Sequence, residues 1–202
     1  MIGLLTWIVI FLMTVTLHEV SHGVVAYALG DPTAKEQGRL TLNPLKHIDP
    51  WWTVILPGLL LITTGGRFAI GMAKPVPVDF RRLRHPKRDM IWVGLAGPFA
   101  NFVIAGILNI LFKLYENPIW LYAIYFNLGL ALFNLVPIPP LDGSRIMAGL
   151  LPSRWTYFYM KAEPYGFLVI LALYFSGILF KLIMPGMNFF CRLLDIPGLG
   201  IG

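Results

Sequence analysis

The chain has 202 residues, 57% of them hydrophobic and only 13% charged, with a formal net charge of +6 and a mean hydropathy of +0.71. Soluble domains carry about 25% charged residues, so this sequence lacks the polar surface to cover a globule in water and reads as a multi-span helical membrane protein. The single cysteine, Cys191, excludes an internal disulfide and any cysteine-built metal cluster.

The first apolar segment occupies residues 1–29. It lacks the basic start and small-residue cleavage site of a signal peptide, and it carries His18, Glu19 and His22 within its apolar stretch. A polar segment, 31–50, follows and contains a strand-like Gly38-Arg39-Leu40-Thr41-Leu42. A shorter apolar run, 51–64, ends at Gly65-Gly66. The alternating prolines of Gly71-Met72-Ala73-Lys74-Pro75-Val76-Pro77-Val78-Asp79 enforce extended backbone and forbid a helix. A basic cluster (Arg81, Arg82, Arg84, Lys87, Arg88) leads into spans predicted at 90–114 and 119–135, and Pro137, Pro139 and Pro140 break the second of these just before Asp142. A last span is predicted at 165–183. The fold class is therefore an all-α polytopic membrane protein. It has about four spanning helices, a re-entrant segment, and short extended or β segments on the cytoplasmic side. Residues 1–202 form a single membrane-embedded domain with a core at about 1–145 and an additional C-terminal span at about 165–183.

The run at 51–64 decides the topology. Fourteen residues at 1.5 Å each reach roughly 21 Å, short of the ~30 Å hydrocarbon core. If the run dips in and returns, segments 31–50, 72–89 and 142–164 share one side and hold 12 of the 16 Lys and Arg residues. By the positive-inside rule that side is the cytoplasm. The basic residues then face anionic lipid headgroups of the cell membrane rather than nucleic acid.

His18-Glu19-Val20-Ser21-His22 has the spacing His-Glu-x-x-His. On a helix, residues four apart share a face, so both imidazoles can reach one ion, and neutral imidazoles suit zinc. Glu19 is turned about 100° away, placed to hold a water rather than to ligate. A catalytic site needs a third protein ligand and an open position. His85 sits in the basic cluster, and His47 lies in a turn-rich loop, where a hydrogen-bonded histidine is the simpler reading. Asp142 is better placed, after a helix-breaking segment and before Gly143, which lets the chain turn sharply. An even number of crossings must separate the end of the first span from Asp142 for the two to share a membrane face. Spans 90–114 and 119–135 supply two, so 51–64 must not cross. The alternative function is a zinc-binding membrane transporter or sensor without hydrolytic activity. Such a protein would want acidic residues in several spans, and the other spans carry almost none.

These residues resemble the site-2 protease family of intramembrane zinc metalloproteases, in its short prokaryotic branch without a PDZ domain. His18 to His22 looks like the family's zinc motif. Asn134-Leu135-Val136-Pro137-Ile138-Pro139-Pro140-Leu141-Asp142-Gly143 is similar to its second signature, in which the aspartate is the third ligand. Ala96-Gly97-Pro98-Phe99-Ala100-Asn101 is similar to the start of the middle core helix. The segment from Gly71 to Val78 is similar to an extended segment of this branch, where Trp is more usual than Met72. The resemblance implies one zinc per chain held by His18, His22 and Asp142. It also implies Glu19 as general base and a transmembrane segment of a membrane protein as substrate. Asn134 is implied as a substrate- or oxyanion-binding residue. Asn101 is a second candidate for substrate binding, with helix–helix hydrogen bonding as the alternative for both asparagines.

Overall fold

The computed structural model describes residues 3–66, 71 and 73–198. Among them the regular structure is entirely helical, arranged around one long central helix. Helix α1 (Leu4–Ala28) and helix α4 (Pro86–Tyr115) are each long and apolar enough to cross a membrane. Between them lie the short α2 (Thr33–Glu36) and α3 (Leu56–Thr63), the latter led in by a π-helical stretch, Pro50–Ile55. Then come α5 (Pro118–Asn134), α6 (Asp142–Leu150), α7 (Ser153–Lys161), α8 (Glu163–Phe175) and α9 (Ile178–Leu193).

Helix α4 packs against α1, α5 and α6. Apart from Asp89 and Val93, its buried positions are small or amide-bearing: Gly94, Ala96, Gly97, Pro98, Asn101, Ala105 and Asn109. Small residues let backbones approach closely where lipid offers no hydrophobic drive to pack helices together. A second contact zone joins α4, α5 and α9 through Ala105, Ile124, Leu128, Met184, Met187 and Cys191. The outward faces are apolar: Leu5, Ile62, Phe99, Leu114 and Phe175 are each about two-thirds or more exposed. A continuous surface of that kind is what a hydrocarbon solvent requires and water does not tolerate.

The polar segments around the short helical run fold back onto one another. Asp31 is fully buried at the end of α1. Its carboxylate accepts hydrogen bonds from Thr33 N–H at 3.0 Å, from the Thr33 hydroxyl, and from Asp79 N–H at 2.8 Å. Lys74 N–H donates to the carbonyl of His47 at 2.9 Å, closing the run 50–63 at its base. Arg82 donates to Glu36 at 2.7 and 3.0 Å, and this guanidinium holds the Glu36 carboxyl below the usual carboxylate range.

Two expectations from the sequence are corrected. No strand forms among the described residues. Gly38-Arg39-Leu40-Thr41-Leu42 is irregular, because its Arg39 turns inward and donates to the carbonyls of Lys74 (2.9 Å) and Pro75 (3.3 Å) instead of pairing with a strand. The span expected at 165–183 is not one helix. The chain bends by 77° between α8 and α9, where Gly177 takes a left-handed conformation (φ 74°) that only glycine adopts freely. The bent pair still runs the length of the molecule. Glu163, at its start, pairs with Arg145 of α6, and Asp195, just past its end, lies 3.3 Å from Lys113 at the far end of α4. Met72, where the sequence departs from the family's usual Trp, lies outside the described residues.

Candidate active site

His18 and His22 lie one turn apart on α1, and both are buried against α4. Their approach depends on Gly97. A Cβ at that position would stand 2.4 Å from His22 Nε2 and 2.6 Å from His18 Nε2, so any larger residue would fill the space between the rings. Asp142, the first residue of α6, completes the group. Its Oδ2 lies 3.1 Å from His18 Nε2 and 3.2 Å from His22 Nε2, and the two Nε2 atoms are 3.2 Å apart. Gly143 serves this placement differently from the turn expected of it. A Cβ there would meet the carbonyl oxygen of Leu135 at 2.2 Å and that of Val136 at 2.6 Å, so glycine permits close packing of α6 on the chain that ends α5.

The far side of each imidazole decides which nitrogen is free. His22 Nδ1 lies 2.6 Å from the carbonyl oxygen of Val93, which can only accept, so Nδ1 carries a proton, and in the neutral ring Nε2 keeps its lone pair. His18 Nδ1 lies 3.2 Å from the amide of fully buried Asn101. The side-chain oxygen of Asn101 has no partner. Turning the amide end for end, which interchanges two nearly identical atoms, lets that oxygen accept from His18 Nδ1–H. Both rings then present unprotonated Nε2 atoms toward Asp142 Oδ2, itself buried without a hydrogen-bond donor. With both imidazoles neutral in that tautomer, three lone-pair-bearing atoms converge, an arrangement that suits a cation. The donor set fits zinc: two imidazoles and one carboxylate whose ligand atoms lie within 4.8 Å of one another.

Glu19 points to a different partner. Its Oε2 accepts a hydrogen bond from Val76 N–H at 2.8 Å. The extended segment supplying that donor is held by Arg39, by the His47 carbonyl and by Asp31. A cavity of about 560 Å³ opens beside these groups, and His18, Glu19, His22, Asn134, Asp142 and Arg145 all contribute to its wall.

The remaining sequence candidates separate clearly. Asn134 lines the cavity and donates to its own helix at the Leu130 carbonyl, 3.0 Å away. Asn101 lies behind His18, outside the cavity wall, as a partner of the imidazole. His47 is buried in its loop with Nε2 2.9 Å from the Thr41 carbonyl oxygen, and His85 is exposed at the start of α4. Sequence reasoning passed over Arg145 and Val76. The first could have been found from its place one turn after Asp142. The second could have been found as the one N–H donor left between Pro75 and Pro77.

A model of peptidase family M50 matches residues 113–177, a stretch that includes Asn134 and Asp142. The chain is 38% identical over 205 residues to YwhC of Bacillus subtilis (strain 168), provisionally named a zinc metalloprotease; the match covers 93% of this chain and 88% of YwhC. Rip2 of Mycolicibacterium smegmatis (strain ATCC 700084 / mc(2)155), with the same provisional name, is 32% identical over 88% of this chain and 66% of its own length. MJ0392 of Methanocaldococcus jannaschii, named a zinc metalloprotease, is 27% identical over 75% of this chain and 37% of its own. No solved structure matches the chain.

Proposed function

The chain belongs to peptidase family M50, the site-2 protease family, and from that premise we propose that it is a zinc-dependent intramembrane endopeptidase that cuts peptide bonds in or near the transmembrane segments of membrane proteins. The observation that carries this reading is the convergence of His18, His22 and Asp142 beside a cavity that also holds Glu19, within an apolar helical body.

His18, His22 and Asp142 would hold one zinc ion. A zinc ion bound there would supply Lewis acidity, acidifying a water and polarising the carbonyl to be cut. Glu19 takes the proton from the attacking water and delivers it to the leaving amide nitrogen. Val76 N–H fixes one oxygen of Glu19, so the carboxylate enters the reaction already oriented and loses little freedom in doing so. Val93 and Asn101 hold the imidazoles in the ligating tautomer. Asn134, which also lines the cavity, donates to the substrate backbone or to the developing oxyanion. The purified protein should cleave a transmembrane model substrate, lose that activity on chelation and regain it on adding zinc. Activity that persists through exhaustive chelation would sink the metalloprotease mechanism.

For topology, we read α1, α4, α5 and the bent α8–α9 pair as the crossings. The run 50–63 enters and returns. Its length of about 21 Å and the hydrogen bond between the His47 and Lys74 backbones at its base support this. The cytoplasmic side holds 31–50, 73–89 and the opening of the cavity, in keeping with the positive-inside rule. Single cysteines introduced at Lys35 and Lys87, after replacement of Cys191, should resist a membrane-impermeant thiol reagent in intact cells and react once the membrane is opened. A cysteine at Lys113, at the other end of α4, should react from outside. Labelling of the Lys35 site alone in intact cells would mean that 50–63 crosses.

A further inference from the structure

Arg145 follows Asp142 by three residues on α6, a spacing that places both side chains on one face of the helix. It lines the same cavity as His18, Glu19 and Asp142. Its side chain is 24% exposed, so this cation is only partly solvated within an apolar helical protein. Such a charge is costly unless anions answer it. Glu163 answers in part, accepting one hydrogen bond from Nη2 at 2.9 Å while itself 39% exposed, the kind of pair that contributes little on its own. The guanidinium also lies 5.3 Å from the centroid of the Phe80 ring, which fixes its orientation from a second side. A guanidinium carries five N–H donors, and Glu163 is the only hydrogen-bond partner of this one among the described residues. The remaining donors form a planar fork suited to a carboxylate, beside the place where the cleaved bond must lie.

We propose that Arg145 binds an acidic side chain of the substrate, so that an Asp or Glu within a few residues of the cleaved bond determines which peptides are cut. This rests on the endopeptidase reading above and deepens it by naming a substrate class. A plain structural strap between α6 and α8 would use the Glu163 pair and nothing else. A specificity site uses the open donors.

The test measures kcat/KM of the zinc-loaded, full-length protein on a panel of transmembrane substrates. Each carries Glu, Gln or Lys at one of the positions around the cleaved bond, with the termini held constant. At one position the wild type should prefer Glu over Gln by about tenfold, the worth of one charge-assisted hydrogen bond, chiefly through KM. That ratio should collapse towards one in Arg145→Gln, survive in Arg145→Lys, and invert in favour of the Lys substrate in Arg145→Glu. Because each ratio compares two substrates on one variant, a general loss of activity cancels. Glu163→Ala removes the strap and should leave the preference in place. A wild type that cuts the panel with no acidic preference overturns the inference and leaves the endopeptidase standing, as does a preference that survives Arg145→Gln. A zinc-loaded wild type that cuts nothing in the panel overturns both.

Discussion

Replacing Glu19 with Gln should lower turnover of a transmembrane substrate by on the order of 10²–10⁴ while zinc stays bound, the usual size of a general base's contribution. The substitution is discriminating because of what it leaves alone. Glutamine keeps an oxygen that can accept the hydrogen bond from Val76 N–H, which Glu19 Oε2 receives at 2.8 Å. The extended segment at 73–78 therefore remains anchored at this point, and its other ties to Arg39 and the His47 carbonyl are untouched. Glutamine is also the same size, so the cavity beside the histidines keeps its shape. The lost property is the capacity to take up a proton. Single-turnover cleavage and metal analysis on the same preparation measure the two halves of the prediction. Near-wild-type turnover with a full zinc complement would remove Glu19 from the proton path.

The part of the site that lies on one helix was legible in the sequence. His18 and His22 are four residues apart inside an apolar run, and helical periodicity alone puts them on one face. Asp142 was legible for a different reason. Few other groups were available, and the count of crossings allowed it to meet the first span at only one membrane face. The structure brings its carboxylate to within 3.2 Å of both rings. What the sequence hid depends on the register of one helix against another. Nothing local shows that Gly97 faces the two imidazoles, or that Asn101 stands behind His18. Both follow from how α4 is rotated and shifted along α1. The segment 38–42 has the alternation of a strand, but pattern cannot report whether a partner strand exists, and here a buried arginine binds the neighbouring backbone instead. The break between α8 and α9 escaped for a similar reason. Hydropathy stays high through Gly177, and only the backbone conformation there turns one apolar stretch into two helices.

The three-ligand assignment makes the strongest claim on Asp142, and its removal should be felt first in metal content. With Asp142→Ala the site keeps two imidazoles, which leave a tetrahedral ion underligated. Loss of an outer-shell partner typically weakens a metal site by 10–100-fold, and loss of a ligand should exceed that, so zinc affinity is expected to fall by more than about 100-fold. Asp142 also opens α6, where a carboxylate interacts favourably with the helix N-terminus by about 0.3–1 kcal/mol. A small loss of stability is therefore expected whether or not Asp142 binds metal. Asp142→Asn separates the two effects, because it removes the charge from the helix end yet keeps an oxygen for the ion. If Asp142 is a ligand, zinc affinity should fall in the order wild type, Asn, Ala, while helical content measured by circular dichroism stays level across the three. Competition with a chelator of known affinity reads the zinc directly. His47 lies outside both the group formed by His18, His22 and Asp142 and the lining of the cavity and so offers no ready substitute. One zinc held at wild-type affinity by Asp142→Ala would show that the third ligand lies elsewhere, and that the approach of α6 to the two histidines serves packing rather than catalysis.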